Sequence, residues 1–163
     1  MLHGASLPMR LVLDTNVVLD LLHFSDPSTA PLLLALQKGK AQAYTDTECL
    51  AELARVSAYP AFHLSVEEQQ SLMQRALALT QLCHAGEAPA EAALDASLPR
   101  CRDPDDQKFL TLAARCRADW LLTRDKLLLE VGKKRRGLIR FPGLSFQILT
   151  AQAVAGLLST IRE

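Results

Sequence analysis

The residues of this chain best equipped for chemistry are carboxylates. Asp14 closes the apolar run Leu11-Val12-Leu13, and Asp125 follows Leu121-Leu122-Thr123 in the same way. Glu52 lies inside a helical stretch, and Asp103, Asp105 and Asp106 crowd around Pro104. Taken singly, most have an ordinary explanation. Asp14, Asp103 and Asp125 suit helix N-caps, and Asp106 falls in a first turn, where the helix dipole favours negative charge. Glu52 is harder to dismiss, because it interrupts the inward stripe of Cys49 and Val56. Four carboxylates gathered in one place repel one another and raise the proton affinity of at least one of them. A bound Mg2+ or Mn2+ relieves that repulsion, since hard cations take oxygen ligands. The matching chemistry is phosphodiester hydrolysis, in which an ion orients the phosphate, activates a water and stabilises the leaving oxygen.

Other chemistries find little support. The chain has no serine–histidine pair, no Gly-rich phosphate loop and no G-x-G-x-x-G. Cys49, Cys83, Cys101 and Cys116 lack C-x-x-C spacing and read as reduced, mostly buried apolar residues. The four histidines are equally dispersed, which argues against zinc. An aspartyl-nucleophile phosphatase would need a second Asp where Asn16 stands. Basic and acidic residues balance at 18 each, so any nucleic-acid site must come from local clustering.

Positioning these acids at one edge requires a particular architecture. At 163 residues the chain fits one domain, read as 9–163 after a leader, 1–8, without periodicity. Short apolar strands are expected at 10–14, 41–45, 98–102, 120–123 and 137–141. Helices are expected at 15–23, 26–39, 46–58, from the capping box at Ser65 through Cys83, from Asp103 to Cys116, at 124–132 and from Thr150. Residues 86–97 are ambiguous, a loop with a helical turn. The uncharged stretch 141–161 is long enough to span a bilayer. Its Pro142-Gly143, Gln147 and Gln152 instead favour a turn and an amphipathic helix. No membrane association is expected, and no signal-peptide pattern is present, so the expected setting is cytoplasmic. Strands alternating with helices imply a parallel sheet covered on both faces. Ligands of such sheets sit beyond the carboxyl ends of the strands.

Four motifs in order now carry a resemblance. Val12-Leu13-Asp14-Thr15-Asn16-Val17, Leu50-Ala51-Glu52-Leu53, Arg102-Asp103-Pro104-Asp105-Asp106-Gln107-Lys108-Phe109-Leu110 and Leu122-Thr123-Arg124-Asp125 resemble the acidic motifs of the PIN domain. The match runs over roughly 9–149. The Asp-Pro-Asp-Asp form is most similar to the branch of type II toxin–antitoxin toxins, the VapC-like ribonucleases. The resemblance implies a three-layer α/β/α sandwich with a central, mainly parallel sheet and Mg2+- or Mn2+-dependent cleavage of RNA. Asp14, Glu52, Asp106 and Asp125 would be both the catalytic and the metal-holding acids. Asp103 would be accessory, with Thr15, Asn16 and Thr123 supporting the site through hydrogen bonds. Between Asp103, Asp105 and Asp106 the third ligand stays open, Asp106 being preferred because Phe109, Leu110 and Ala113 extend from it along the buried side. A small antitoxin covering the mouth and a homodimer belong to the same implication.

Two departures stand out: Asp46 sits where the family often has Ser or Thr, and residues 1–8 precede the usual start. RNA phosphates would be met by Arg124, Lys126 and the run Lys133-Lys134-Arg135-Arg136, although a basic helix end also satisfies the dipole without any ligand. Arg10, Arg55 and Arg102 lie near the motifs in sequence as further candidates. The rival expectation is a PIN-like module that binds RNA or an antitoxin and cuts nothing.

Overall fold

The first strand, β1 (Met9–Leu13), shows in five residues why the chain folds in layers. Its side chains alternate across the strand. Met9, Leu11 and Leu13 enter one core, while Val12 enters a second core on the opposite face. A strand apolar on both faces needs helices on both, and the chain supplies them. The computed structural model describes residues 8–134, 138–141 and 144–159.

Strands β2 (Ala41–Thr45), β3 (Thr80–Leu82), β4 (Trp120–Leu122) and β6 (Leu144–Leu149) run parallel to β1, and β5 (Leu138–Phe141) pairs antiparallel with β6. The sheet order is β3-β2-β1-β4-β6-β5. On one face lie α1 (Thr15–Leu22), α2 (Ala30–Gln37), α3 (Thr47–Ser57), α4 (Val66–Leu79) and α8 (Ala151–Ser159), which bury Val17, Leu32, Leu53, Leu72 and Val154 among others. On the other lie α6 (Gln107–Arg115) and α7 (Lys126–Lys133), with Phe109, Leu110 and Leu128 fully inside. This is the three-layer α/β/α arrangement with a mainly parallel central sheet. Helix α5 (Ala88–Ser97) packs against α6.

Chain connections leave β1 toward β2 on one side and reach β4 on the other, so the carboxyl ends of β1 and β4 flank a topological switch point. The opposite edge of the sheet is tied shut. Arg10 donates from Nε to the Cys116 carbonyl at 3.0 Å and from Nη1 to the Tyr44 hydroxyl at 2.6 Å, and its guanidinium lies 4.3 Å from the Tyr44 ring centre. The Arg10 N–H donates to Asp119 Oδ2 at 2.8 Å. Arg10 therefore belongs to the scaffold, far from the acids it neighbours in sequence.

Four expectations need correction. Residues 86–97, expected as a loop with a helical turn, hold the ten-residue helix α5 from Ala88 to Ser97. Residues 98–102 form no strand. Leu98 and Cys101 are buried, but the backbone is satisfied by one side chain: Gln107 Oε1 accepts from Cys101 N at 2.9 Å, and Gln107 Nε2 donates to the Pro99 carbonyl at 3.1 Å. Helix α4 begins at the expected box, with Ser65 and Glu68 exchanging bonds, but stops at Leu79 before Cys83. Thr80 turns extended there and starts the edge strand β3. The stretch before the last helix contains β6, whose register against β4 pairs Trp120 with Gln147 and Leu122 with Leu149. Among the described residues, no helix is long and apolar enough to cross a membrane.

Candidate active site

At the carboxyl end of β1 the backbone N–H of Asp14 still bonds the Leu122 carbonyl at 2.9 Å, so the sheet fixes where this side chain emerges. Asp14 is only 4% exposed. Its side chain makes no capping bond to α1; instead Oδ2 accepts from Thr123 Oγ1 at 2.6 Å and from Asn16 Nδ2 at 3.1 Å. Burial raises the proton affinity of Asp14, the Thr123 bond opposes that, and the charges of Glu52 and Asp125 add to the rise. The ordinary capping explanation for Asp14 thus fails on geometry.

Thr123, fully buried after β4, stitches two acids together. Its hydroxyl donates to Asp14 and accepts the Asp125 N–H at 2.9 Å. Asp125 does cap α7, with Oδ1 accepting from Leu127 N at 2.8 Å. Asn16 reaches the same segment, since its Oδ1 accepts the Arg124 N–H at 3.3 Å.

The third acid comes from a short 3-10 turn, Pro104–Asp106, that precedes α6. Asp103 caps this turn, Oδ1 accepting from Asp105 N at 3.0 Å, and Asp105 is exposed. Asp106 is the one that turns inward: its Oδ2 is buried, and no N–H or hydroxyl donor among the described residues reaches it. Burial first, then the charge of Asp14, then a proton shared with Asp125 and that residue's charge push the Asp106 carboxyl up to about 7. Asp14, Asp106 and Asp125 therefore feel one another, as acids awaiting a cation do.

Glu52 has a different neighbourhood. Helix α3 brings it beside Asp14, but both of its oxygens are engaged. Oε2 accepts from Thr15 Oγ1, and Oε1 lies 2.7 Å from Lys108 Nζ. The two side chains of this ion pair are 8% (Lys108) and 13% (Glu52) exposed. Burial pulls the Lys108 ammonium down, yet the bond to Glu52 and its charge outweigh that and hold it above the ordinary lysine value. Lys108 lies inside the third acidic motif, where the pattern of acids alone assigns it no role. A usable signal existed: a cation in the first turn of a helix opposes the dipole and needs a carboxylate partner.

The remaining candidates divide by position. Arg124 is pinned to Asp20, Nε to Oδ2 at 2.9 Å, with its side chain still largely exposed at the rim. Lys126 is exposed beside Asp125. Lys133 and Lys134 are exposed at the far end of α7, about 12 Å along the axis from Asp125 at 1.5 Å per residue. Arg135 and Arg136 lie outside the described residues. Asp46 is structural: Oδ1 accepts from Cys49 N at 2.8 Å as the α3 cap, and Oδ2 pairs with Arg115 Nη2 at 3.1 Å.

Oxygen donors of this kind suit a hard divalent ion, and the donorless Asp106 Oδ2 is the atom such an ion would satisfy. Among the described residues, however, no three acidic, thiol or imidazole side chains stand close enough to enclose a bare ion. An ion held here would keep several waters, as Mg2+ commonly does. In comparisons with known proteins, a family model described as PIN domain matches residues 10–127, which include all four acids. No curated protein matches the chain.

Proposed function

Since the chain belongs to the PIN domain family, whose members are generally nucleases and typically use divalent metals, we propose that it is an Mg2+- or Mn2+-dependent endoribonuclease. One observation carries this reading: Asp106, with a buried oxygen that no N–H or hydroxyl donor among the described residues reaches and a proton affinity raised by burial and then by Asp14 and Asp125. Three acids held in mutual repulsion have no structural benefit that an amide would not supply better. Asp14, Asp106 and Asp125 would hold the ion, partly through water, with Asp103 fixing the turn that presents Asp106. Bound there, the ion supplies a water of lowered pKa and stabilises charge on the leaving oxygen. Thr123 and Asn16 keep Asp14 aimed at the pocket, Thr15 keeps Glu52 in its wall, and Arg124 and Lys126 offer charge to RNA phosphates at the rim.

We extend the reading to the toxin of a type II toxin–antitoxin pair. The Asp-Pro-Asp-Asp motif supports it, and it carries with it a small antitoxin partner, a cytoplasmic setting, a homodimer and a single domain over 9–163. Lys133 and Lys134, with Arg135 and Arg136 beside them in sequence, would add phosphate contacts only for a substrate that runs along α7.

The deciding experiment incubates a labelled RNA panel with the chain and Mn2+. Cleavage is expected, and Asp14→Asn should lower it by about 100-fold or more, the scale of losing one preorganised group at a charged centre. A second reading, a PIN module that binds RNA or an antitoxin without cutting, draws on the absence of an ion-enclosing triad among the described residues. RNA retained but uncut under every divalent metal would replace the first reading by the second.

A further inference from the structure

Glu52 and Lys108 stand out because their pairing is complete and sheltered. Of the four acids, Glu52 alone makes an ion pair; no ion pair among the described residues involves Asp14, Asp106 or Asp125. Its two oxygens are taken by the Lys108 ammonium and the Thr15 hydroxyl. Lys108 in turn has little freedom to leave. Nζ also donates to the Asp105 carbonyl, lies 5.2 Å from the Phe109 ring centre, and belongs to a side chain that is 8% exposed. A divalent ion seeking Glu52 Oε1 would have to expel a buried ammonium whose removal leaves backbone and ring contacts unfilled.

We propose that Lys108 is a built-in cation standing where a second metal ion would bind, so that the pocket takes one divalent ion, on the side of Asp14, Asp106 and Asp125. This assignment rests on the nuclease reading above and deepens it. An ammonium has three N–H donors. Glu52 and the Asp105 carbonyl take two, and the fixed positive charge so held neutralises Glu52, the electrostatic duty a second ion performs in two-metal sites. Glu52 becomes the anchor of this cation instead of a metal ligand.

The test counts Mn2+ bound per full-length chain, by calorimetry and by electron paramagnetic resonance of free Mn2+. One ion is expected for the parent chain and for Lys108→Arg. Lys108→Met frees Glu52 and should bind a second, weaker ion, which the double variant Lys108→Met with Glu52→Gln should lose again. Glu52→Gln alone should change Mn2+ affinity by less than about threefold, against the 10- to 100-fold typical when groups tied to a metal are removed. Should Lys108→Met fail to fold, the parent count and the Glu52→Gln affinity decide. Two ions in the parent chain that cleaves RNA, or a loss of about 10-fold or more in Glu52→Gln, would overturn the inference and leave the nuclease reading intact. No bound Mn2+ together with no cleavage would overturn both.

Discussion

Replacing Asp106 by Asn should make the metal-free protein more stable at alkaline pH. The native state holds the Asp106 proton far more tightly than an unfolded chain would, with a value of about 7 against the ordinary 3.8. For such a group the stabilisation is complete below the unfolded value and is lost as pH rises through the folded one. Metal-free stability should therefore decline between about pH 4 and pH 7. At 1.36 kcal/mol for each tenfold in proton affinity, the ceiling on this loss is roughly 4 kcal/mol. Asp106 is only partly buried, so solvent screening reduces the expected figure to about 1–2 kcal/mol. An Asn cannot ionise, and its amide can donate toward Asp125. Urea denaturation in chelator should show Asp106→Asn more stable than the parent by that amount at pH 8, by about a third of it at pH 5, and nearly equal at pH 4. Saturating Mn2+ should reverse the order at pH 8, because the parent gains about 2.7 kcal/mol from an ion at 100 times its Kd. A variant less stable than the parent at pH 8 in chelator, or a difference independent of pH, would refute the idea that the three acids are held in repulsion.

Two further substitutions separate site from scaffold. Thr123→Val removes the hydroxyl that lowers the proton affinity of Asp14 and accepts the Asp125 N–H. The acid limb of Mn2+ binding should then move to higher pH, and unfolding should become easier by about 1–3 kcal/mol; an unmoved limb would mean that Asp14 does not bind the ion. Ser65→Ala breaks the reciprocal cap of α4 on the exposed surface and should cost about 1 kcal/mol in denaturation, with Mn2+ affinity unchanged.

Much of the fold could be read from local patterns, and the exceptions share a cause. Strand β2 and the starts of α3 and α4 follow from apolar runs and caps that each segment carries within itself. Strand β3 is three residues long and mostly exposed, so nothing local distinguishes it; pairing with β2 makes it a strand. Strand β6 sits in an uncharged stretch whose helical end is equally apolar, and only register against β4 marks the boundary. The run at 98–102 misled in the opposite direction, since burial without a sheet neighbour does not make a strand. At the pocket, four acids in order were legible because their motifs are short and contiguous. The Lys108–Glu52 pair was not, because it joins residues on α6 and α3 that meet only after both helices dock.

The bond between Thr123 and Asp14 spans 109 positions of sequence. A nascent polypeptide leaving the ribosome therefore carries its first acid long before the hydroxyl that orients it has been translated. Parallel pairing of distant strands is also among the slower steps of folding. Fragments released early lack the seam between β1 and β4, and with it the means to aim Asp14. Orientation of Asp14 by Thr123 is therefore among the last local arrangements this chain can complete.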